Sequence, residues 1–290
     1  MLLSKMHFAV ELAAMGNQVF FVNPPAKNES RQLVYSSKDD AFPNITFVYV
    51  KSIKNALFLR HKFLWVYEWI VNKYVREIRR IINGGIDEAW CFNPQVYVSF
   101  KYFRAKKNIL FLYDFYKGAH VFKAADNADF MVSPSQVILD HYKKSHTPKL
   151  LLQHGLSKNF AILAKERLMQ NKFPVVQSAR IKIGYTGNLC RSDMVIDAVR
   201  KIIEQHKDKE FHFWGPYSFT ENNVTDRRVV ISNGLKAFID YLKQCPHVYL
   251  HGMKGQDELP KEMSAMDLFL CFYDAAKDMN ASSNSHKLLE

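Results

Sequence analysis

Short apolar runs, rich in β-branched and aromatic residues and each closed by Pro, Asn, Gly, Asp or Ser, alternate along this chain with longer stretches of helical period. That alternation restricts the fold more than any other feature. A strand that is apolar over its whole length needs cover on both faces, and intervening helices supply it, so the pattern predicts an α/β fold with parallel sheets flanked by helices. Strands are expected at 19–23 (VFFVN), 45–50, 89–92, 109–113, 130–133 and 149–153, with helices at 4–15, 55–82 and 135–144. Ser133-Pro134-Ser135 suits a helix start, with a capping hydroxyl and proline in the first turn. Residues 154–180 lose the strand pattern and contain one expected helix, 159–170. The alternation then resumes, with strands at 181–185, 211–214, 248–251 and 268–272 and helices at 193–206, 235–244 and 258–266. Two runs imply two Rossmann-like domains, 1–155 and 181–290, joined by a linker at 156–180. The 290 residues suffice for both. A doubly wound domain ordinarily opens with a strand, whereas this chain opens in a helical pattern and closes on the first residues of another helix. Both domains therefore read as incomplete.

Hydrophobic residues make up 48% of the chain and charged residues 23%, a balance that suits a core-burying protein. No apolar run approaches the roughly 20 residues of a membrane span, and the start lacks a signal-peptide pattern. A cytoplasmic location is expected. Cys91, Cys190, Cys245 and Cys271 are widely spaced and read as core or surface thiols. The histidines His141, His146, His154 and His251 lack ligand spacing, so no metal is expected. The net charge is +12 and uneven: residues 1–150 carry 21 Lys/Arg against 12 Asp/Glu, and 151–290 carry 19 against 16. Residues 51–80 alone hold 8 basic and 2 acidic groups. They fall in a long helical pattern containing Leu57, Leu64, Trp65, Trp69 and Val75. It suits either a packing helix or one lying on an anionic membrane surface, which would place the protein peripherally on the inner face of the cell membrane. No nucleic-acid-binding motif accompanies the charge.

In an open parallel sheet ligands bind beyond the carboxyl ends of the strands. Three successive strand ends in the second run carry glycine: Gly184 and Gly187 with Asn188 and Arg191, then Gly215, then His251-Gly252 with Lys254. Glycine admits close backbone approach, and a following helix start offers N–H groups to an anion. A fourth candidate is 284–290 (NSHKLLE). There Lys287 at a helix start, beside His286, suits a bound anion, and Glu290 one turn on could accept ribose hydroxyls. In the first run, Asp114 after its strand and His120 are candidate acid or base groups.

These segments, in order, resemble bacterial GT-B glycosyltransferases of surface-polysaccharide assembly. IKIGYTGNLCRSD is similar to the opening strand and glycine turn of their second domain, and FHFWGP to the next strand. HVYLHGMKGQDELPKEMSAMDLFLCFY and NSHKLLE resemble their later elements. ADFMVSPSQVI, LLQHGLSKNF and SKMHFAVELAAMGNQVFFVNPP resemble parts of the first domain and its exit. The resemblance implies two Rossmann-like domains facing across a cleft and a nucleotide-diphosphate sugar as donor. By the same likeness Gly187 and Asn188 sit near the diphosphate, and His251, Gly252 and Lys254 near the base. Lys287 meets phosphate and Glu290 ribose. A glycan or lipid-linked acceptor lies against the first domain, and no metal or other cofactor is required. The Glu-x7-Glu pair of retaining members is not reproduced, since Ser282 stands eight positions before Glu290; stereochemistry stays open. A same-fold sugar-nucleotide epimerase and a non-catalytic, membrane-docked sugar-nucleotide-binding module are the alternatives.

Overall fold

The structure is a computed structural model, which describes residues 4–27, 31–116, 118–169, 180–191, 194–218, 232–255, 257–272 and 274. Two compact units divide the chain at Gln153/His154. Both are α/β, with parallel strands flanked by helices.

In the N-terminal unit α1 (Ser4–Ala14) leads into β1 (Val19–Val22), β2 (Val34–Lys38) and β3 (Ile45–Val50), which pair in the order β1-β3-β2. The pairing β1–β3 is parallel, but β2 runs antiparallel to β3, with Val34 opposite Val50. This antiparallel edge strand is an addition to the expected parallel sheets. The sequence pattern omits β2 because VYSSK is short and mostly exposed, a half-solvated edge rather than a buried run. A second sheet, order β4-β5-β6-β7, is parallel throughout: β4 (Ile86–Cys91), β5 (Ala105–Phe111), β6 (Phe130–Ser133) and β7 (Lys149–Leu151). Among the described residues the unit thus carries two separate sheets. Helix α1 packs on both, with Met6, Ala9 and Ala13 against Ile45, Phe21 and Phe47, and Phe8 against Trp90, Phe92 and Phe111.

The helix expected over 55–82 is two helices, α2 (Ala56–Lys62) and α3 (Leu64–Ile82). They break at Phe63, whose φ of −136° and ψ of 61° leave the helical region. No Gly or Pro marks the break; tertiary hydrogen bonds hold both sides of it. Arg60 Nη1 donates to Gln95 O at 2.7 Å from α2, and the Tyr67 hydroxyl donates to Val96 O at 3.1 Å from α3. The inner face of α3 buries Tyr67, Val71, Tyr74, Val75 and Ile78 at helical spacing. A helix, α5 (Gln136–His141), starts after Ser133-Pro134-Ser135 as expected, but Pro134 lies before its first turn and the N-cap Ser135 makes no side-chain cap; instead Ser133 Oγ donates to Leu112 O and accepts from Ser135 N. Helix α4 (Ala119–Asp126) fills the preceding crossover.

In the C-terminal unit α6 (Lys158–Met169) precedes β8 (Lys182–Thr186), α7 (Ile196–Gln205), β9 (Glu210–Trp214), α8 (Asn233–Gln244), β10 (Val248–Gly252), α9 (Leu259–Met263) and β11 (Leu268–Phe269). The sheet order is β10-β9-β8-β11, parallel throughout. Its core packs Ile183, Tyr185, Phe211 and Phe213 against Val199 and Ile203 of α7 and Phe238 and Leu242 of α8. Ser232 caps α8, its hydroxyl accepting from Leu235 N. Cys91 and Cys190 are core thiols, and burial pushes the Cys91 thiol up to about 12. No helix among the described residues is long and apolar enough to cross a membrane.

Ile78 is fully buried between α3 and the first sheet. Ile78→Ala is expected to lower unfolding stability by about 2–5 kcal/mol, as a large-to-small change in a packed core does. Urea denaturation followed by circular dichroism measures it; a change below about 0.5 kcal/mol would contradict the packing described.

Candidate functional site

Because β8, β9 and β10 run parallel, their carboxyl ends share one edge, as the three glycine-ended strands suggest. Gly187 (φ 152°), Gly215 (φ 129°) and Gly252 (φ 71°) lie along it. The ladder continues through them: Gly187 N donates to Trp214 O and Gly215 N to Gly252 O, both at 2.8 Å. A β-carbon on Gly215 would stand 2.0 Å from Gly187 O, so no other residue fits there without moving the backbone. Beyond Gly187, Leu189 N donates to Pro216 O at 3.0 Å, and Asn188 Oδ1 accepts from Cys190 N at 2.8 Å. Asn188 therefore shapes its own turn with its side-chain oxygen. Arg191 closes this segment. Helix α7 begins at Ile196, three residues later than expected, without a side-chain cap.

The second face of this sheet is not apolar. Alternation along β9 sends Phe211 and Phe213 into the core and Glu210, His212 and Trp214 to the other side. There His212 stacks on Tyr249 at 4.7 Å between centroids, and Trp214 stacks on His251 at 4.7 Å. His212 Nδ1 and His251 Nε2 are 3.0 Å apart, so one ring donates to the other. Burial lowers the pKa of both rings. For His212 the Glu210 carboxylate opposes that shift; for His251 the His212 ring adds to it. Two neutral imidazoles sharing one proton fit this geometry. Trp214 Nε1 donates to Glu262 Oε2 at 2.6 Å, and Lys254 Nζ pairs with Glu262 Oε1 at 2.8 Å. These bonds hold the Glu262 carboxyl below its usual range, Lys254 first and Trp214 next, and raise Lys254. His251 and Lys254 thus sit at this edge within a network whose other members, His212, Trp214 and Glu262, were not among the expected site residues. The period-two sequence Phe-His-Phe-Trp carried that signal.

In the N-terminal unit Asp114 lies three residues past β5, close to Tyr116. The Tyr116 phenol is pushed upward by burial and then by the Asp114 charge; its hydroxyl donates to Phe92 O at 3.4 Å. His120 occupies the first turn of α4 and is 5% exposed. Burial drives its pKa down to about 4, assisted by the charges of Arg60 and His61. The His61 ring meets it edge-on at 5.7 Å. Among the described residues His120 Nε2 has no hydrogen-bond partner. Gly118 (φ 118°) lets this ring lie against the backbone, since a β-carbon there would be 2.7 Å from His120 Cε1. His120 is therefore gathered with Arg60 and His61, neighbours that the sequence reading did not assign to it. His286, Lys287 and Glu290 lie outside the described residues. No group of three or more metal-ligating side chains occurs among the described residues.

No family model matches the chain, and no curated protein does. Solved structures do. Sucrose-phosphate synthase from Thermosynechococcus elongatus superposes with a TM-score of 0.61 at 13% identity, covering 91% of this chain and 67% of that one. A glycosyltransferase from Rickettsia africae gives 0.52 at 16% identity, covering 88% and 65%. Anabaena HepE in complex with UDP and glucose gives 0.51 at 13%, covering 87% and 73%. The chain thus spans about two thirds of the length of these neighbours. At these identities the likeness shows the fold, which is that of GT-B glycosyltransferases.

Gly215→Ala is expected to destabilise the C-terminal unit by about 3 kcal/mol or more, since both the positive φ and the contact with Gly187 must yield. An unchanged melting temperature would contradict it. The His120 ring is expected to titrate near pH 4 by NMR rather than near 6.5. Its folded pKa lies below the unfolded value, so the unfolded chain binds more protons between them. Stability should therefore fall as pH drops from about 6.5 towards 4, and His120→Gln should flatten that fall.

Proposed function

We propose that the chain is the sugar-nucleotide-binding and acceptor-binding framework of a glycosyltransferase. It moves a sugar from a nucleotide-diphosphate donor to a glycan or lipid-linked acceptor of a cell-surface polysaccharide. One observation carries this reading: three strand ends of a parallel sheet, each finished by a positive-φ glycine, packed into a single edge. Such edges suit ligands because their glycines let a ligand approach the backbone without side-chain hindrance, the N–H groups of Gly187 and Gly215 themselves being held in the ladder.

In this reading Gly187 and Asn188 face the diphosphate, with Gly215 beneath and Arg191 adding charge. His251, Gly252 and Lys254 border the base. His286 and Lys287 meet phosphate and Glu290 the ribose. Transfer breaks the bond between the anomeric carbon and the diphosphate oxygen and forms one to an acceptor hydroxyl, whose proton passes to a base. The departing diphosphate carries the electron pair, and N–H groups and basic side chains stabilise it without a metal. Asp114 and His120 are the candidate bases of the acceptor side. Burial keeps the His120 imidazole neutral at ordinary pH, so it can accept a hydrogen bond from an acceptor hydroxyl, while the same burial weakens it as a base.

Calorimetric titration with UDP and GDP should show binding of one of them. Lys254→Ala and Glu290→Ala should each weaken it by roughly tenfold or more, about 1.4 kcal/mol. No binding of any nucleoside diphosphate would overturn the reading. Product analysis with donor alone separates transfer from epimerisation: an isomerised sugar nucleotide would favour an epimerase.

A further inference from the structure

Helices α2 and α3 bury one side and leave the other with an unusual set of residues. Leu57, Phe58 and Phe63 are about half exposed, Trp69 is 57% exposed and Trp65 74%. Phe58 and Phe63 meet across the break, 5.7 Å between centroids. At about 100° per residue, Trp65, Trp69, Lys73, Arg76 and Arg80 fall within roughly 80° of arc on α3. All five are exposed. They form a stripe about 22 Å long, aromatic at its start and cationic beyond. Lys73 Nζ lies 3.7 Å from the Trp69 ring centroid, where the two parts meet. A single exposed apolar side chain needs no reason, but five large ones along α2, α3 and the break between them do.

Charge decides what covers them. The two acids of this stretch are already engaged, Glu68 with Lys123 at 2.6 Å and Glu77 with Arg80. Among the described residues no carboxylate pairs with Lys54, Lys62, Lys73 or Arg76, which lie on or beside the same two helices. A protein partner would have to bring both a hydrophobic pocket and an acidic rim. An anionic bilayer offers both at once: an apolar interior for the aromatic rings and phosphate headgroups for the cations, at the depth where Trp prefers to sit. From this we infer that the α2–α3 corner is a docking surface for an anionic lipid bilayer, with Leu57, Phe58, Phe63, Trp65 and Trp69 entering the headgroup–acyl boundary and Lys62, Lys73 and Arg76 contacting lipid phosphates. The inference stands apart from glycosyl transfer and does not require the chain to turn over a substrate.

Co-sedimentation of the full chain with vesicles tests it. Vesicles of phosphatidylcholine with one quarter phosphatidylglycerol should bind it at low salt, and pure phosphatidylcholine should bind it weakly. Binding should fall steeply at 0.5 M salt, since surface charge is then screened. Tryptophan emission should shift to the blue, a signal from Trp65 and Trp69 because Trp214 is buried and Trp90 half-buried. Lys73→Glu/Arg76→Glu should weaken vesicle binding by roughly 10- to 30-fold or more. Trp65→Ala/Trp69→Ala should abolish the emission shift and leave the melting temperature unchanged. Equal binding to neutral and anionic vesicles, no binding to either, or binding indifferent to both variants would overturn the inference. So would a dimer in sedimentation equilibrium that Trp65→Ala/Trp69→Ala dissociates, or tighter retention on RNA than on anionic vesicles.

Discussion

Side chains of a β-strand point alternately to the two faces of its sheet, and in the C-terminal unit most other features follow from how β9 is phased. Phe211 and Phe213 are committed to the helices α7 and α8, so His212 and Trp214 have no choice of side. A one-residue slip would exchange the two sets, turning His212 and Trp214 in among Phe238 and Leu242 and turning Phe211 and Phe213 out of the core. The hydrophobic core thus enforces the polar stack on the opposite face. That stack in turn draws in Glu262 and Lys254, because the Trp214 indole N–H donates to the Glu262 carboxylate and Lys254 pairs with it.

The fold was legible in the sequence wherever a strand is buried on both faces. β6 and the second half of β5 appear as apolar runs and β8 and β9 as short aromatic-rich stretches, and the structure places them in parallel sheets. β2 was not legible, because an edge strand shares its surface with water and VYSSK carries no such run. The division of the N-terminal unit into two sheets was equally hidden, since it is a matter of which strands pair. The break at Phe63 has no local cause that a sequence could display: the helical period continues through it, and the hydrogen bonds to Gln95 and Val96 come from thirty residues away.

The candidate site divides in the same way. Gly187, Gly215 and Gly252 announce themselves, because positions needing positive φ select glycine, and the structure brings all three to one edge. His251 and Lys254 were found with them, but their partners were not, since a hydrogen bond from Trp214 to Glu262 joins residues 48 positions apart. His120 shows the limit most clearly. Its place six residues beyond Asp114 suggested chemistry, whereas its neutral state depends on burial and on Arg60 and His61 arriving from another helix.

The glycine edge has a thermodynamic consequence. The exit of β8 is tied through the Gly187 N–H to β9, and the exit of β9 through the Gly215 N–H to β10, so the three turns are locked in series before any ligand arrives. Little conformational entropy remains to be lost there on binding, and a displacement of one turn must carry the next with it.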